Sequence, residues 1–249
     1  MRCLVLAAGY ATRMYPLTEN FPKPLLPVGG KPILDWLLDD VEATGMIDGC
    51  AVVTNHRYQP YFQAWRETRL NPVTILDDGS QSNAERLGAV RDIQFAIDSL
   101  GLDDDLLVIA GDNLLDFSLE SFIRYAGEVG TTCVMRYVEP SLERRRRSGV
   151  LRLDEAGRVL EMQEKPPEPI SEWCAPPIYF YARRDLPMVR RGIEAGCGVD
   201  APGSFIAWLC SQVPVHAWKM IGRRYDMGSL DSYEEAKRSY RGITVRAGD

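Results

Sequence analysis

The first residues of this chain with chemistry to offer are Arg13 and Lys23, and they follow a short apolar run, Cys3 to Ala7, that ends in Ala8-Gly9-Tyr10-Ala11-Thr12-Arg13. That pattern reads as a strand feeding a tight loop of small residues, whose backbone N–H groups can approach an anion closely. Arg13 adds a forked guanidinium, and Lys23, between Pro22 and Pro24, adds a compact ammonium. Backbone donors and two fixed cations describe a pocket for several phosphates, such as a nucleoside triphosphate. Asp112 is the third group of interest. It lies just beyond Leu106 to Ala110, a continuous apolar strand, and ligands of open α/β sheets bind outside the carboxyl ends of strands. A carboxylate there suits a divalent cation.

Two other phosphate motifs are excluded by spacing. Gly29-Gly30-Lys31 is followed by Pro32, which offers no hydroxyl to a metal, so there is no P-loop. No G-x-G-x-x-G follows the first strand, and a dinucleotide site lacks its fingerprint. A glycine after a strand is by itself only a turn; the longer string carries the reading.

That string, from Leu4 to Pro32, resembles the signature of the sugar-1-phosphate nucleotidylyltransferases, LAAGxGTRxxPLTxxxPKPLLPVxGKP. Gly9, Thr12, Arg13, Pro16, Leu17, Thr18, Pro22, Lys23, Pro24 and Pro27 are in register. Ala11 stands where the family usually has glycine, and the loop should survive if Ala11 keeps φ below zero. Further on, LVIAGDN resembles the family's metal-binding Gly-Asp motif, with Asn113 the variant associated with glucose-1-phosphate thymidylyltransferases. Glu164-Lys165-Pro166 resembles its EKP motif, and Tyr225-Asp226-Met227-Gly228-Ser229 its late D-[IV]-G-[TS] motif.

The resemblance implies a division of labour. Arg13, Lys23 and Lys165 are the catalytic cations: Arg13 clamps the triphosphate, Lys23 bridges the α-phosphate and Lys165 neutralises the incoming phosphate. Ala8, Gly9 and Thr12 complete the phosphate loop, and Gln81, Asn83, Arg86 and Gly88 surround the nucleobase. Asn113, Gly149, Gln163, Glu164, Lys165 and Tyr179 face the acceptor, with Trp173 beside them. Asp112 and Asp226 hold Mg2+. No general base is needed, because a phosphate monoester is already largely ionised near pH 7. That fits a chain with two histidines, His56 and His216, read here as structural or surface residues.

The match weakens where specificity is set. Arg86 replaces the usual Gln or Gly, and Gln163-Glu164 replaces a Glu-Glu pair. Ala175-Pro176-Pro177-Ile178-Tyr179 replaces x-Gly-x-Tyr, and Pro177 removes a backbone N–H. The favoured reaction joins dTTP or UTP to glucose-1-phosphate and releases pyrophosphate. A cytidylyltransferase acting on a non-sugar phosphate such as phosphocholine stays open. So does a non-catalytic nucleotide-binding regulatory protein, although that reading predicts loss of Lys23, Asp112, Lys165 or Asp226, and all four are present.

Composition sets the remaining bounds. At 249 residues the chain suits one α/β domain, with 1–130 as nucleotide-binding half and 131–249 as acceptor half. A formal charge of −6 argues against nucleic-acid or anionic-membrane partners, so the phosphate site must be a local positive pocket. The six cysteines are scattered without a CxxC and read as buried thiols of a cytoplasmic protein. No run approaches a membrane span or a signal peptide, and no room remains for an appended β-helix domain. Homo-oligomerisation is left open.

The elements needed to position these groups follow from periodicity. Pro32 opens a helix with Ile33, Leu34, Leu37, Leu38 and Val41 at helical spacing, ended by Gly45. Strands are expected at Cys50–Thr54, Val73–Leu76 and Leu106–Ala110, and helices at Tyr58–Arg69 and Ala84–Leu100. Later come a strand at Thr132–Val138, a solvated charged loop holding Arg144 to Arg147, and a hairpin over Val150–Glu164. A strand at Ile178–Tyr181 precedes helices at Leu186–Glu194 and Ser204–Ser211. Extended segments at Val215–Lys219 and Arg224–Asp226 lead to a last helix, Ser229–Tyr240. The implied fold is a Rossmann-like α/β, with a mostly parallel mixed sheet sandwiched by helices and a small β-rich acceptor lobe.

Overall fold

The computed structural model describes residues 1–246. Strands β1 (Arg2–Leu6), β2 (Pro27–Val28) and β3 (Lys31–Pro32) precede helix α1 (Ile33–Ala43). Then β4 (Gly49–Thr54), α2 (Gln59–Arg66), β5 (Val73–Asp77) and α3 (Ala89–Leu100) alternate up to β6 (Leu106–Ala110). Next are β7 (Asn113–Leu115), α4 (Glu120–Val129), β8 (Thr132–Val138) and the single turn α5 (Leu142–Arg145). A β-rich stretch holds β9 (Gly149–Leu153), β10 (Val159–Glu164), β11 (Trp173–Ala175) and β12 (Ile178–Tyr181). Finally α6 (Pro187–Glu194), α7 (Pro202–Leu209), β13 (Val215–Lys219), β14 (Arg224–Asp226) and α8 (Leu230–Ser239) close the chain.

These elements form two compact units. The first comprises Met1–Arg86, Ile109–Ser121 and the chain from Ile221 onward; the second comprises Leu87–Val108 and Phe122–Met220. The units therefore interleave, where the sequence suggested successive halves meeting at residue 130. The physical reason is a long-range strand pair: β14 runs antiparallel to β7, with Arg224 opposite Leu115, Tyr225 opposite Leu114 and Asp226 opposite Asn113.

In the first unit β1, β4 and β5 are parallel neighbours, Cys3 beside Cys50 and Cys50 beside Val73. Both faces of such strands are covered, so β1 and β4 read as continuous apolar runs. Helix α1 buries Leu34, Leu37, Leu38 and Val41, as its spacing required. A separate cluster ties the last helix to the N-terminal loop: Met14, Leu26, Val28, Ile33, Leu114, Met227, Tyr233 and Tyr240 are buried together. Tyr233 donates to the Pro27 carbonyl at 2.9 Å and Tyr240 to that of Leu115 at 2.8 Å.

The second unit is mixed. β9 and β10 form the expected hairpin, β11 pairs antiparallel with both β9 and β8, and β13 lies parallel to β8. β11 and β12 both run antiparallel to β8, but the register shifts by two residues between Cys174 and Tyr179. Pro176 and Pro177 occupy that bulge, the place where a residue without an N–H costs no ladder bond. Helix α7 covers one face through Phe205, edge-on to Tyr181 at 5.4 Å.

One expected helix is shortened. Ala84 to Gly88 is not helical; α3 starts at Ala89 because Gly88 caps it at φ 91, where the Val199 carbonyl accepts from the Val90 N–H at 3.0 Å. Five of the six thiols are buried and all are free, as expected. Among the described residues no helix is long and apolar enough to cross a membrane.

Candidate active site

The first unit gathers the loop, Arg13, Lys23 and the carboxylates Asp112 and Asp226. Gly9 is exposed and would have nothing within 4 Å of an added Cβ. Ala8, at the start of this loop, is buried, and its carbonyl accepts from Asn55 Nδ2 at 3.0 Å. Tyr10 is buried and its hydroxyl donates to the Ser80 carbonyl at 3.0 Å, fastening the loop after β5 to the loop after β1.

Ala11 corrects the expectation made for it. Its φ is +47 and ψ 40, so the loop needs the left-handed conformation and alanine adopts it at a cost of about 1–2 kcal/mol. Thr18 Oγ1 donates to the Ala11 carbonyl at 2.8 Å and the Met14 N–H to the same oxygen at 2.9 Å, which holds the crest in place. Thr12 and Arg13 follow in a 3-10 turn, both exposed, and Arg13 has no ion-pair partner among the described residues.

Lys23 begins a second 3-10 turn between its prolines and is buried. Its Nζ lies 2.7 Å from Asp112 Oδ2. Burial pushes the Asp112 carboxyl up, but the Lys23 ammonium, helped by Arg224, outweighs it and holds the group below the usual carboxylate range. Gly111 permits this position: a Cβ there would stand 2.9 Å from Val5 Cγ1 and 3.2 Å from Pro24 Cγ. The β7–β14 ribbon sets Asp226 opposite Asn113, so the second carboxylate arrives one residue from Asp112. Asp226 is exposed at the mouth of this ribbon.

Asn113 is fully buried and spends both ends of its amide inside the protein. Nδ2 donates to the Ala110 carbonyl at 2.7 Å, and Oδ1 accepts from Arg224 Nη1 at 3.0 Å. Arg224 also lies 3.8 Å from Asp226 Oδ1. It was missed in the sequence, although it stands two residues before Asp226 on an extended segment and so shares its face.

The base-side residues are partly tied to one another. Arg86 Nη1 donates to the Asn83 carbonyl at 3.2 Å and to its Oδ1 at 3.1 Å, while the Gln81 N–H donates to Glu85 Oε2 at 3.0 Å. Gly88 belongs to the second unit, where a Cβ would stand 2.6 Å from the Val199 carbonyl oxygen. His56 is exposed with Nδ1 2.6 Å from Asp77 Oδ2, and His216 Nδ1 lies 2.9 Å from Thr131 Oγ1.

The second unit carries Gly149, Gln163, Glu164, Lys165 and Tyr179 of the residues assigned to the acceptor, whereas Asn113 belongs to the first. Glu164 lies opposite Gly149, and Gly149 opposite Ala175. Glu164 Oε2 packs against α7 so closely that a Cβ on Gly203 would reach within 2.0 Å of it, and one on Gly149 within 3.3 Å. Burial raises the Glu164 carboxyl, partly offset by Lys165, whose Nζ is 3.8 Å away. Gln163, next to Glu164 on β10, pairs with Val150 of β9, and alternation turns it to the opposite face, so Gln163 and Glu164 do not share a surface. Lys165 leaves the strand at φ +49, its N–H held by the Ser148 carbonyl at 3.0 Å and its side chain exposed. Tyr179 is buried, stacked at 6.2 Å on Tyr181. The expected charged loop is in part the single turn α5, which Ser141 caps by accepting from the Arg144 N–H; Arg144 in that turn and Arg147 after it are exposed.

Residues 2–242 match the nucleotidyl transferase family, and the chain belongs to it. Within that family it is similar to sugar-nucleotide-forming enzymes. It is 27% identical over 240 residues to the bifunctional protein GlmU of Methanocaldococcus jannaschii, covering 94% of this chain and 54% of that one. It is also 27% identical over 256 residues to the UTP–glucose-1-phosphate uridylyltransferase AglF of Haloferax volcanii, covering 99% of each. The chain thus spans about half the length of the first relative and nearly all of the second. A solved UDP-glucose pyrophosphorylase in complex with UDP-glucose superposes with a TM-score of 0.81 at 21% identity, over 96% of this chain and 97% of that one. The shared fold is a mixed, mostly parallel sheet covered by helices.

Proposed function

We propose that this chain is a Mg2+-dependent nucleotidylyltransferase that joins dTTP or UTP to a sugar-1-phosphate, with glucose-1-phosphate favoured, and releases pyrophosphate. The observation that supports this reading is the 2.7 Å ion pair of Lys23 with Asp112, next to a strand pair whose register sets Asp226 opposite Asn113. Asp112 and Asp226 offer hard oxygen donors of the kind Mg2+ takes, and two are enough because this ion keeps waters and substrate phosphates as its other ligands. Bound there, the ion would supply charge neutralisation for the phosphates.

The chain's own residues do the rest. The backbone of Ala8 to Thr12 and the free guanidinium of Arg13 bind the β- and γ-phosphates and stabilise the leaving pyrophosphate. Lys23 donates to the α-phosphate, its ammonium oriented by Asp112. Lys165 neutralises the acceptor's phosphate, and Glu164 accepts from acceptor hydroxyls. The acceptor phosphate attacks as an anion, so positioning and charge neutralisation dominate and no protein base intervenes.

Pyrophosphate release, measured across a grid of nucleoside triphosphates and phosphorylated acceptors, tests the reading. Asp112→Asn and Asp226→Asn should each lower kcat at least 100-fold, about 2.7 kcal/mol in barrier, with the circular dichroism spectrum unchanged. Full activity in either variant at ordinary Mg2+ would sink the metal assignment. Silence of the wild type across the grid would favour a binding-only regulatory protein.

A further inference from the structure

Two arginines stand side by side where β14 begins, and the fold treats them differently. Arg223 is committed elsewhere: its Nη2 lies 2.7 Å from Glu235 Oε1, and its guanidinium carbon 4.4 Å from the Tyr225 ring centroid. Alternation turns Arg224 the other way, to the face it shares with Asp226. Arg224 is half-buried, and its hydrogen bond goes to a neutral group, the Asn113 amide oxygen, at 3.0 Å. That amide is fully buried and is itself anchored on the Ala110 carbonyl at 2.7 Å. Asn113 therefore fixes where the guanidinium sits without cancelling its charge.

That charge is left to act on two carboxylates. Asp226 Oδ1 is 3.8 Å from Arg224 Nη1, beyond hydrogen-bond distance but well within Coulomb range. Asp112, the chain neighbour of Asn113, also feels Arg224, after the stronger effect of Lys23 at 2.7 Å. In this group the cations Lys23 and Arg224 stand against the anions Asp112 and Asp226, one for one. The carboxylates assigned to Mg2+ are thus already balanced by the protein's own side chains. A dication approaching them is repelled by Arg224, whereas a polyanion such as a triphosphate is attracted by it.

We propose that Arg224 is a resident counter-ion of the Asp112 and Asp226 carboxylates, a positioning residue that opposes the metal and favours the polyphosphate, so that Mg2+ enters with the nucleotide and not before it. The inference rests on the Mg2+ assignment under the proposed function, and goes beyond it in giving the order in which the charges arrive. The triphosphate brings the negative charge that the dication needs there, and by linkage each then favours the other's binding to the same degree. A purely structural arginine predicts something else. Losing a tether between β14 and Asn113 would loosen the whole site and weaken metal and polyphosphate together. A counter-ion predicts shifts of opposite sign.

Two probes test it on the full chain. Mn2+, which shares the oxygen-ligand preference of Mg2+, is titrated without nucleotide and followed by loss of its free-ion electron paramagnetic resonance signal. Tripolyphosphate, which has the charge of the nucleotide without its base, is titrated calorimetrically in the presence of EDTA. Arg224→Gln keeps a donor for the Asn113 amide and removes the charge. It should bind Mn2+ about tenfold more tightly than wild type and tripolyphosphate about threefold more weakly. Arg224→Met should give the same opposite shifts, and Arg224→Lys should return both affinities toward wild type. Asp226→Asn added to Arg224→Gln should cancel the Mn2+ gain, and Arg223→Gln, on the other face, should leave both affinities alone. Unchanged Mn2+ affinity in both charge-free variants, weakening of both probes together, a gain that survives Asp226→Asn, or Arg224→Lys behaving like Arg224→Gln overturns the proposal. Pyrophosphate release separates the two readings. Release that requires Asp226, with Mn2+ affinity indifferent to Arg224, retains transfer and removes the counter-ion, whereas opposite shifts without release from any acceptor retain the counter-ion and remove transfer.

Discussion

Among the described residues only two non-glycines hold a positive φ in the left-handed region, Ala11 and Lys165, and each falls inside a motif assigned to phosphate binding. Strain of this kind persists where surrounding contacts over-determine it, which for Ala11 means the Thr18 and Met14 bonds to its carbonyl. A β-branched side chain cannot take that conformation without further cost. Ala11→Val should therefore lower kcat/KM for the nucleotide at least tenfold, whereas Ala11→Gly should stay within about threefold of wild type; equal activity of both variants would show that the crest is not constrained. The two lysines separate by their surroundings. Lys23 is buried on Asp112, so Lys23→Met should depress kcat about 100-fold or more, because its charge matters most as the α-phosphorus becomes five-coordinate. Lys165 is exposed, so Lys165→Met should raise acceptor KM and lower kcat with nucleotide binding nearly intact. Loss of nucleotide binding in Lys165→Met with normal acceptor saturation would reverse the assignment.

At the scale of elements, what was legible followed local periodicity. The α1 stripe, the apolar runs of β4, β6 and β8, and the hairpin of β9 and β10 all declare themselves within a dozen residues. Helix α4 was equally legible in principle, since Leu119, Phe122, Ile123 and Ala126 are buried at helical spacing. β7 is three residues long, too short for alternation to show, and its pairing with β14 joins segments more than a hundred residues apart. No local signal marks such a contact, so Asp226 was found by resemblance and Arg224 was not found at all. For the residues assigned to the acceptor on the second unit, strand alternation decides which of Gln163 and Glu164 reaches the Gly149 face, and only the register reveals that. Glu164 then carries a testable consequence. Because burial raises its folded-state carboxyl above the ordinary value of 4.5, folding favours the protonated form. Its contribution to stability is present below that value and is lost as pH rises through the higher folded-state value. Glu164→Gln should accordingly raise Tm at pH 7, with the gain vanishing below about pH 4.5, while acceptor KM rises. A lower Tm in the variant at neutral pH would show that Glu164 is stabilised by contacts rather than penalised by burial.

For the whole molecule, binding at the first unit must report on global stability, because a ligand that binds only the folded chain stabilises it by mass action. At a hundred times its Kd such a ligand contributes about 2.7 kcal/mol. In a chain of this size each kcal/mol raises Tm by about 2–4 °C, so the matched nucleoside triphosphate should raise it by about 5–10 °C. Scanning dTTP, UTP, CTP, ATP and GTP with Mg2+ then reads nucleobase preference without any acceptor. That matters because the residues assigned to the base are partly occupied by one another, Arg86 with Asn83 and Glu85 with Gln81, and their pattern departs from the family's. Chelating Mg2+ should remove much of the shift, and Asp226→Asn should remove the same part without chelation, since both act on one charge balance. Lys165→Met should keep the full shift, because it serves the other substrate. A shift with no pyrophosphate release from any acceptor would favour a protein that binds nucleotides without turning them over. No shift with any of the five nucleotides would remove both readings together, and with them the role given to the loop after β1.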